Sequence, residues 1–314
     1  MYSKLGARLG STEARVVIAL LGLIALVDVG LRLTDSRLSG NLAHVESIPD
    51  IVARAGSPEG QSLLVLGNSL TNNGVAPDVV NASLPHVTVA KVTPDATGLW
   101  DWQCLLDHQV IERGEVQFDT VVIGFAWHLL SDQSRVDASR LGALYCELSD
   151  LGRAAGIGLR NSGDIGEFVT AKVLRTYALR DTLRNRFFQI SVPNYVQFTQ
   201  ATNAARAGAA QPPAEPSKQP AQYTYQTLAG LVDRLESEGT RVIVVAMPVR
   251  ENYELDAQLL SLSEQGELEL IDLRKLAGIA PAHYLDGMHL NATGQQILSR
   301  ALADHLAAEL LSAI

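Results

Sequence analysis

Five short runs of mostly apolar residues recur along this chain, and the segments between them carry helical periodicity. The runs are Ser62–Leu66, Val87–Val92, Thr120–Ile123, Arg241–Ala246 and Leu268–Asp272. Runs dense in Val, Ile and Leu describe strands buried on both faces, the condition of a parallel sheet. Amphipathic patterns such as Trp100–Arg113 and Tyr223–Glu238 supply the crossovers that parallel strands require. The predicted fold class is therefore α/β, with a five-stranded parallel sheet. A last helix, Ala292–Leu311, packs onto it through the stripe Leu298, Leu302, Leu306 and Leu310.

The first run breaks at Gly67 into a polar turn, Gly67-Asn68-Ser69-Leu70-Thr71, which presents Ser69 at the carboxyl end of a buried strand. That is where α/β sheets hold ligands. Gly-Asn-Ser is also ordinary loop composition, so Ser69 alone decides nothing. Near the far end, Asp286-Gly287-Met288-His289 sets an acid and a base three residues apart just before the last helix. A serine hydroxyl is a weak nucleophile and needs a base within hydrogen-bond reach, and His289 is the candidate. Asp286 can fix the imidazole tautomer and stabilise the imidazolium through the other ring nitrogen. The competing reading is a loop in which Asp286 caps a turn and His289 is merely exposed. Asn291 is placed to cap the last helix, which explains Asn291-Ala292-Thr293 more simply than a glycosylation sequon does. A histidine base predicts activity lost in acid.

At 314 residues and a net charge of −9, the chain can bury a large core and offers no global field for nucleic acid. No Cys or His cluster has zinc spacing, and nothing calls for a metal or an organic cofactor. Two buried thiols are favoured over a bridge for Cys104 and Cys146, since both fall in helical patterns; a bridge would fit an oxidising compartment.

Lys4, Arg8 and Arg15 accompany the apolar stretch from Val16 to Leu33, interrupted by Asp28 near its end. A signal anchor, a cleaved signal peptide and a buried core helix all fit this pattern, and the lack of a small-x-small cleavage site favours the anchor. The positive-inside rule then keeps residues 1–36 as a cytoplasmic basic end plus transmembrane helix and exports the rest. Residues 37–61 read as a connector with one helical pattern, Ile48–Ala55. Residues 62–314 read as the main domain, with an insertion at about 165–222. Within the insertion, Val169–Phe188 reads as one helix bearing Lys172, Arg175, Arg180, Arg184 and Arg186. A solvated face and a contact with anionic lipid or polymer are its two readings. Thr199–Gln222, with Pro212, Pro213, Pro216 and Pro220, reads as a flexible loop.

The pair of motifs, Gly67-Asn68-Ser69-Leu70-Thr71 after the first strand and Asp286-Gly287-Met288-His289 before the last helix, resembles the SGNH or GDSL hydrolase superfamily. That resemblance implies a three-layer α/β/α sandwich and a catalytic set of Ser69, Asp286 and His289. It also implies an oxyanion hole from the Ser69 backbone N–H, a glycine matched by Gly98, and an asparagine after the third strand. This chain has Gly124-Phe125-Ala126-Trp127-His128 where Gly-x-Asn is expected, which leaves Asn68, Asn72 or His128 as substitutes or Trp127 and His128 as packing.

An SGNH domain behind an anchor, with this altered third block, resembles exported proteins that work beside membrane-bound O-acyltransferases, such as the alginate acetylation proteins. The resemblance implies a single-pass protein of a bacterial cytoplasmic membrane whose periplasmic domain passes an acyl group, acetyl by analogy, through acyl-Ser69 to a polysaccharide or cell-wall hydroxyl. Arg250 and Tyr253, after the fourth run, are candidate acceptor contacts, or else cap and pack the next helix. An anchored esterase and a non-catalytic assembly protein on the same fold are the alternatives.

Overall fold

The computed structural model describes residues 11–55, 60–111, 118–208 and 223–312. Five strands, Gln61–Leu66 (β1), Val87–Val92 (β2), Thr120–Phe125 (β3), Arg241–Ala246 (β4) and Glu269–Asp272 (β5), form one all-parallel sheet in the order 2-1-3-4-5. Strand β1 lies inside the sheet, Leu64 facing Ala90 of β2 and Val121 of β3.

Successive residues of a strand point to opposite faces, so one apolar run serves two cores. Leu64 and Leu66 join Ile48, Trp102, Leu228 and Leu231 on one face. Leu63 and Val65 join Val80, Leu298, Leu302 and Leu306 on the other. The last helix runs Ala292–Ser312 and packs through the expected stripe, except that the Leu310 side chain lies outside the described residues.

Several expectations need correction. The connector contains a longer helix, Gly40–Ala55, whose Ile48 and Val52 are buried against the sheet. The pattern from Trp100 divides into an α-helix, Leu99–Leu105, and a π-helical turn, Leu106–Ile111; Arg113 lies outside the described residues.

The single helix expected over Val169–Phe188 is three: Ser162–Val173, Arg175–Ala178 and Arg180–Ser191. Tertiary bonds from the N-terminal helix satisfy the backbone at the first break. Arg32 donates to the Val173 carbonyl, and Asp28 accepts from the Thr176 N–H and hydroxyl. The basic residues are also largely consumed. Lys172 pairs with Glu147, Arg175 with Asp35, Arg180 with Glu167 and Arg184 with Asp181, while Arg186 donates to the Leu38 carbonyl. Of the expected Pro-rich loop, the part up to Gly208 belongs to a helix, Tyr195–Gly208, built from Ala, Gln and Thr. The four prolines lie outside the described residues.

Cys104 and Cys146 form a disulfide, against the favoured reading of two thiols. Cys104 is helical, but Cys146 follows the turn Leu141–Tyr145 in extended conformation, which brings its Cα to 5.0 Å from that of Cys104. The bridge spans 42 residues, a loop length for which cross-linking contributes about 4 kcal/mol in the chain-entropy account. Reduction is expected to lower the unfolding free energy by about 2–4 kcal/mol. Urea titration with and without reductant measures this, and coincident curves would contradict it.

The helix Gln226–Ser237 is entered through Asp132, whose carboxylate accepts from the Thr224 hydroxyl and the N–H groups of Gln226 and Thr227. Burial disfavours the charged carboxylate, but these hydrogen bonds outweigh it and hold Asp132 below the ordinary carboxylate range. A lowered folded value gives stability that is complete above the unfolded value of about 3.9 and is lost as pH falls through the folded one. Asp132→Ala should therefore flatten the acid limb of a plot of urea midpoint against pH, and an unchanged acid limb would refute the assignment.

The N-terminal helix, Ser11–Arg32, is long and apolar enough to cross a membrane over Thr12–Arg32, with mean hydropathy 2.3. Only 11% of that window is buried, which separates it from a core helix.

Candidate active site

Strand β1 delivers the chain to a short helix, Ser69–Gly74, and Asn68 caps it, its Oδ1 accepting from the Leu70 N–H at 3.0 Å. Ser69 is the first helical residue, so its N–H has no intrahelical acceptor. Behind it, Thr71 is fully buried and donates to the Gly124 carbonyl at 3.2 Å. A Cβ at either Gly67 or Gly124 would overlap the Thr71 side chain. Two glycines at the ends of β1 and β3 thus let the serine turn sit directly on the sheet edge. Gly67→Ala should displace Ser69 and lower turnover by about 100-fold. Comparing kcat with the melting temperature checks this; full activity would show that the turn tolerates the shift.

The other half of the site is a tight loop. Tyr284 and Leu290 form an antiparallel bridge, and the Leu285 N–H donates to the His289 carbonyl at 2.8 Å. The Asp286 Oδ1 accepts from the N–H groups of Met288 and His289 at 2.7 and 2.8 Å. Its Oδ2 lies 2.8 Å from His289 Nδ1, and His289 Nε2 lies 2.9 Å from Ser69 Oγ. With Nδ1–H donating to the carboxylate, Nε2 is left to accept the serine proton. Burial opposes the charge on Asp286, but hydrogen bonds from the His289 ring and the two N–H groups prevail, so its carboxyl lies below the usual range. Asn291 caps the last helix, its Oδ1 accepting from Thr293 and Gly294, which fixes the loop to a rigid element.

The structure thus brings Ser69, His289 and Asp286 into one hydrogen-bonded line, and rearranges the expected surroundings. The Gly98 N–H donates to Asp101 Oδ2 at 3.1 Å and is not turned to the cleft. Ala96 lines the cleft instead, with φ of 59°, and among the described residues nothing accepts its N–H. A non-glycine residue in the left-handed region costs about 1 kcal/mol or more and commonly marks a functional turn. Glycine is the residue to look for at such a turn, so an alanine there left no signal.

Asn68 is committed to structure, its Nδ2 donating to the Thr97 carbonyl at 3.0 Å. Asn72 does line the cleft, its Oδ1 accepting from the Thr93 hydroxyl at 3.3 Å. His128 stacks on Tyr223, ring centroids 3.8 Å apart, and is not among the cleft residues. Tyr253 is buried, donates to the Met247 carbonyl at 3.0 Å and packs against Trp127, so the packing reading holds for it. Arg250 borders a separate pocket of about 200 Å³ with Arg274 and Tyr284; its N–H donates to the Gly287 carbonyl at 3.1 Å, bracing the Asp286 loop.

The cleft over Ser69 has a volume of about 680 Å³. Besides Ser69, Asp286 and His289 it is walled by Trp127, Leu129, Leu285 and Met288. Trp127 has φ of 51°, so two of the three left-handed non-glycine residues among those described border this one cleft. The one grouping with metal-ligand proximity among the described residues is Cys104, Cys146 and Asp150, and its two sulfurs are bonded to each other. No protein-family model matches this chain, and no characterised protein matches it either.

Proposed function

We propose that this protein is a serine acyl-transfer enzyme of the SGNH type, anchored by its N-terminal helix, that moves an acyl group through an acyl-Ser69 ester to a hydroxyl of a polysaccharide or cell-wall polymer. The observation that carries the reading is the line Ser69 Oγ, His289 Nε2, His289 Nδ1 and Asp286 Oδ2, at 2.9 and 2.8 Å. Helices on both faces of the parallel sheet agree with the three-layer sandwich of that superfamily.

In this mechanism Ser69 Oγ attacks the acyl carbonyl carbon as its proton passes to His289 Nε2. Asp286 stabilises the imidazolium and holds the ring. Charge developing on the carbonyl oxygen meets the N–H groups of Ser69 and Ala96, two donors in place of the family's three. His289 then protonates the leaving group, and in the second half takes the proton of the incoming hydroxyl as it attacks the ester, returning that proton to Ser69 Oγ as the acyl carbon–Oγ bond breaks. The acyl donor is expected to come from a membrane-bound O-acyltransferase partner on the cytoplasmic membrane, with this domain on the periplasmic side. The disulfide supports an oxidising compartment.

One feature favours hydrolysis as a second reading: the Asp286 side chain is 48% exposed, so water reaches the line of reacting groups. An aryl acetate donor offered with candidate oligosaccharides decides between them, the fate of the acetyl group being followed by mass spectrometry. Acetylated sugar formed faster than free acetate supports transfer, and acetate released at one rate with every sugar supports an esterase. The absence of any acyl group on Ser69 would refute both.

A further inference from the structure

The helical insertion exposes apolar side chains that the catalytic reading leaves unused. Phe187 and Ile190 lie one turn apart on the helix Arg180–Ser191 and are 62% and 85% exposed; Phe198, on the next helix, is 71% exposed. The ring of Phe188 stacks on Tyr195 at 5.5 Å, joining the two helices into a hairpin that presents these residues. A soluble surface scatters its apolar residues singly, whereas a cluster of aromatic and aliphatic tips marks a contact.

The insertion is tied to the exit end of the N-terminal helix. Asp28 and Arg32, in the last turns of that helix, bind Thr176 and the Val173 carbonyl. Arg175 pairs with Asp35, and Arg186 reaches the Leu38 carbonyl. Leu33 and Val173, at the junction, are themselves exposed. If the N-terminal helix crosses a bilayer, a segment bonded to its last turns lies at the depth of the headgroups and upper acyl chains. That is the depth at which amphipathic segments bury Phe and Leu side chains.

We infer that the hairpin of residues 180–208 is an interfacial membrane segment that rests in the same leaflet as the end of the anchor, with Phe187, Ile190 and Phe198 in the lipid. The inference rests on the anchor reading of the N-terminal helix. The contact is apolar rather than electrostatic, because Lys172, Arg175, Arg180 and Arg184 pair with carboxylates of the protein and Arg186 directs its donors to the Leu38 carbonyl and the Gln189 side chain. It therefore needs no anionic lipid. Two points of attachment, a spanning helix and a resting hairpin, fix the tilt of the domain, which a single flexible tether does not.

Both native cysteines are bridged, so a variant with one introduced thiol carries a single labelling site among the described residues. Full-length Ile190→Cys, Leu21→Cys and Glu251→Cys would be labelled with an environment-sensitive dye and reconstituted into phosphatidylcholine vesicles. Quenching by shallow and deep spin-labelled lipid and by aqueous iodide is then compared. The Ile190 label should be quenched by shallow spin-labelled lipid at least about twofold more than the Glu251 label, as for a side chain buried about 5–10 Å into the boundary. Adding phosphatidylglycerol should leave that ratio unchanged. The Leu21 label, inside the span, should respond to the deep quencher. Iodide quenching at Ile190 with lipid quenching at Leu21 would overturn the inference alone; iodide quenching at both would overturn the anchor reading. Shielding of Ile190 from both quenchers would mean that protein covers the hairpin, and a response requiring phosphatidylglycerol would mean a charged contact. Either result also overturns it.

Discussion

Ser69→Ala should lower acyl turnover by about 10⁴-fold or more, with the melting temperature unchanged. The Ser69 Oγ bonds to His289 Nε2 alone among the described residues, so its removal costs the fold little. His289→Ala should lose about as much, and the double variant no more than either, because groups that act in one step fail together. Single-turnover measurement of acyl-enzyme formation reads the effect at the step where both residues act. Separate losses that multiply in the double variant would mean that the two act independently and would refute the shared mechanism. Asp286→Asn should retain binding and lose about 10⁴-fold in turnover, since an amide holds the imidazole in the wrong tautomer.

Asp101→Ala should destabilise the protein by about 3–5 kcal/mol, the largest effect expected of any single change outside the site. Asp101 is buried and accepts from Arg140 through Nε at 3.1 Å and Nη2 at 2.8 Å, and from the Gly98 N–H. Truncating it leaves the largely buried Arg140 guanidinium with only a longer contact to the exposed Asp137, 3.8 Å away, which is the costly half of a broken ion pair. Removing Arg140 as well should recover part of the loss, because the stranded charge goes with it. Urea unfolding of the two single variants and the double one forms the cycle; a loss below about 1 kcal/mol for Asp101→Ala would show that water reaches Arg140. Asp101 also anchors the turn that carries Ala96, so its loss should reduce turnover at temperatures where the protein is still folded.

The sheet was legible because its strands are buried on both faces and must be written almost wholly in apolar residues. Val87–Val92 and Arg241–Ala246 coincide with the observed strands for that reason. The line of Ser69, His289 and Asp286 was legible because one strand–turn and one loop–helix junction carry all three side chains, and the sheet topology brings those junctions together. What failed was whatever depends on partners distant in sequence. The break at Leu174 follows from Asp28 and Arg32 reaching across, and no local propensity announces it. Gly98 was a reasonable donor on composition, yet Asp101, three residues on, takes its N–H, and Ala96 holds the strained turn. The disulfide is not legible because the helical periodicity around Cys146 hides an extended residue.

Ser69 and His289 meet across a sequence separation of 220, and the histidine loop is held by the cap of the last helix. The pair therefore comes together only after His289 and the first turn of the helix that holds its loop have been made. Every earlier state of the growing polypeptide carries a serine without its base. On the proposed acyl-transfer reading, such a chain is inert toward acyl compounds until the loop carrying His289 docks against the turn of Ser69.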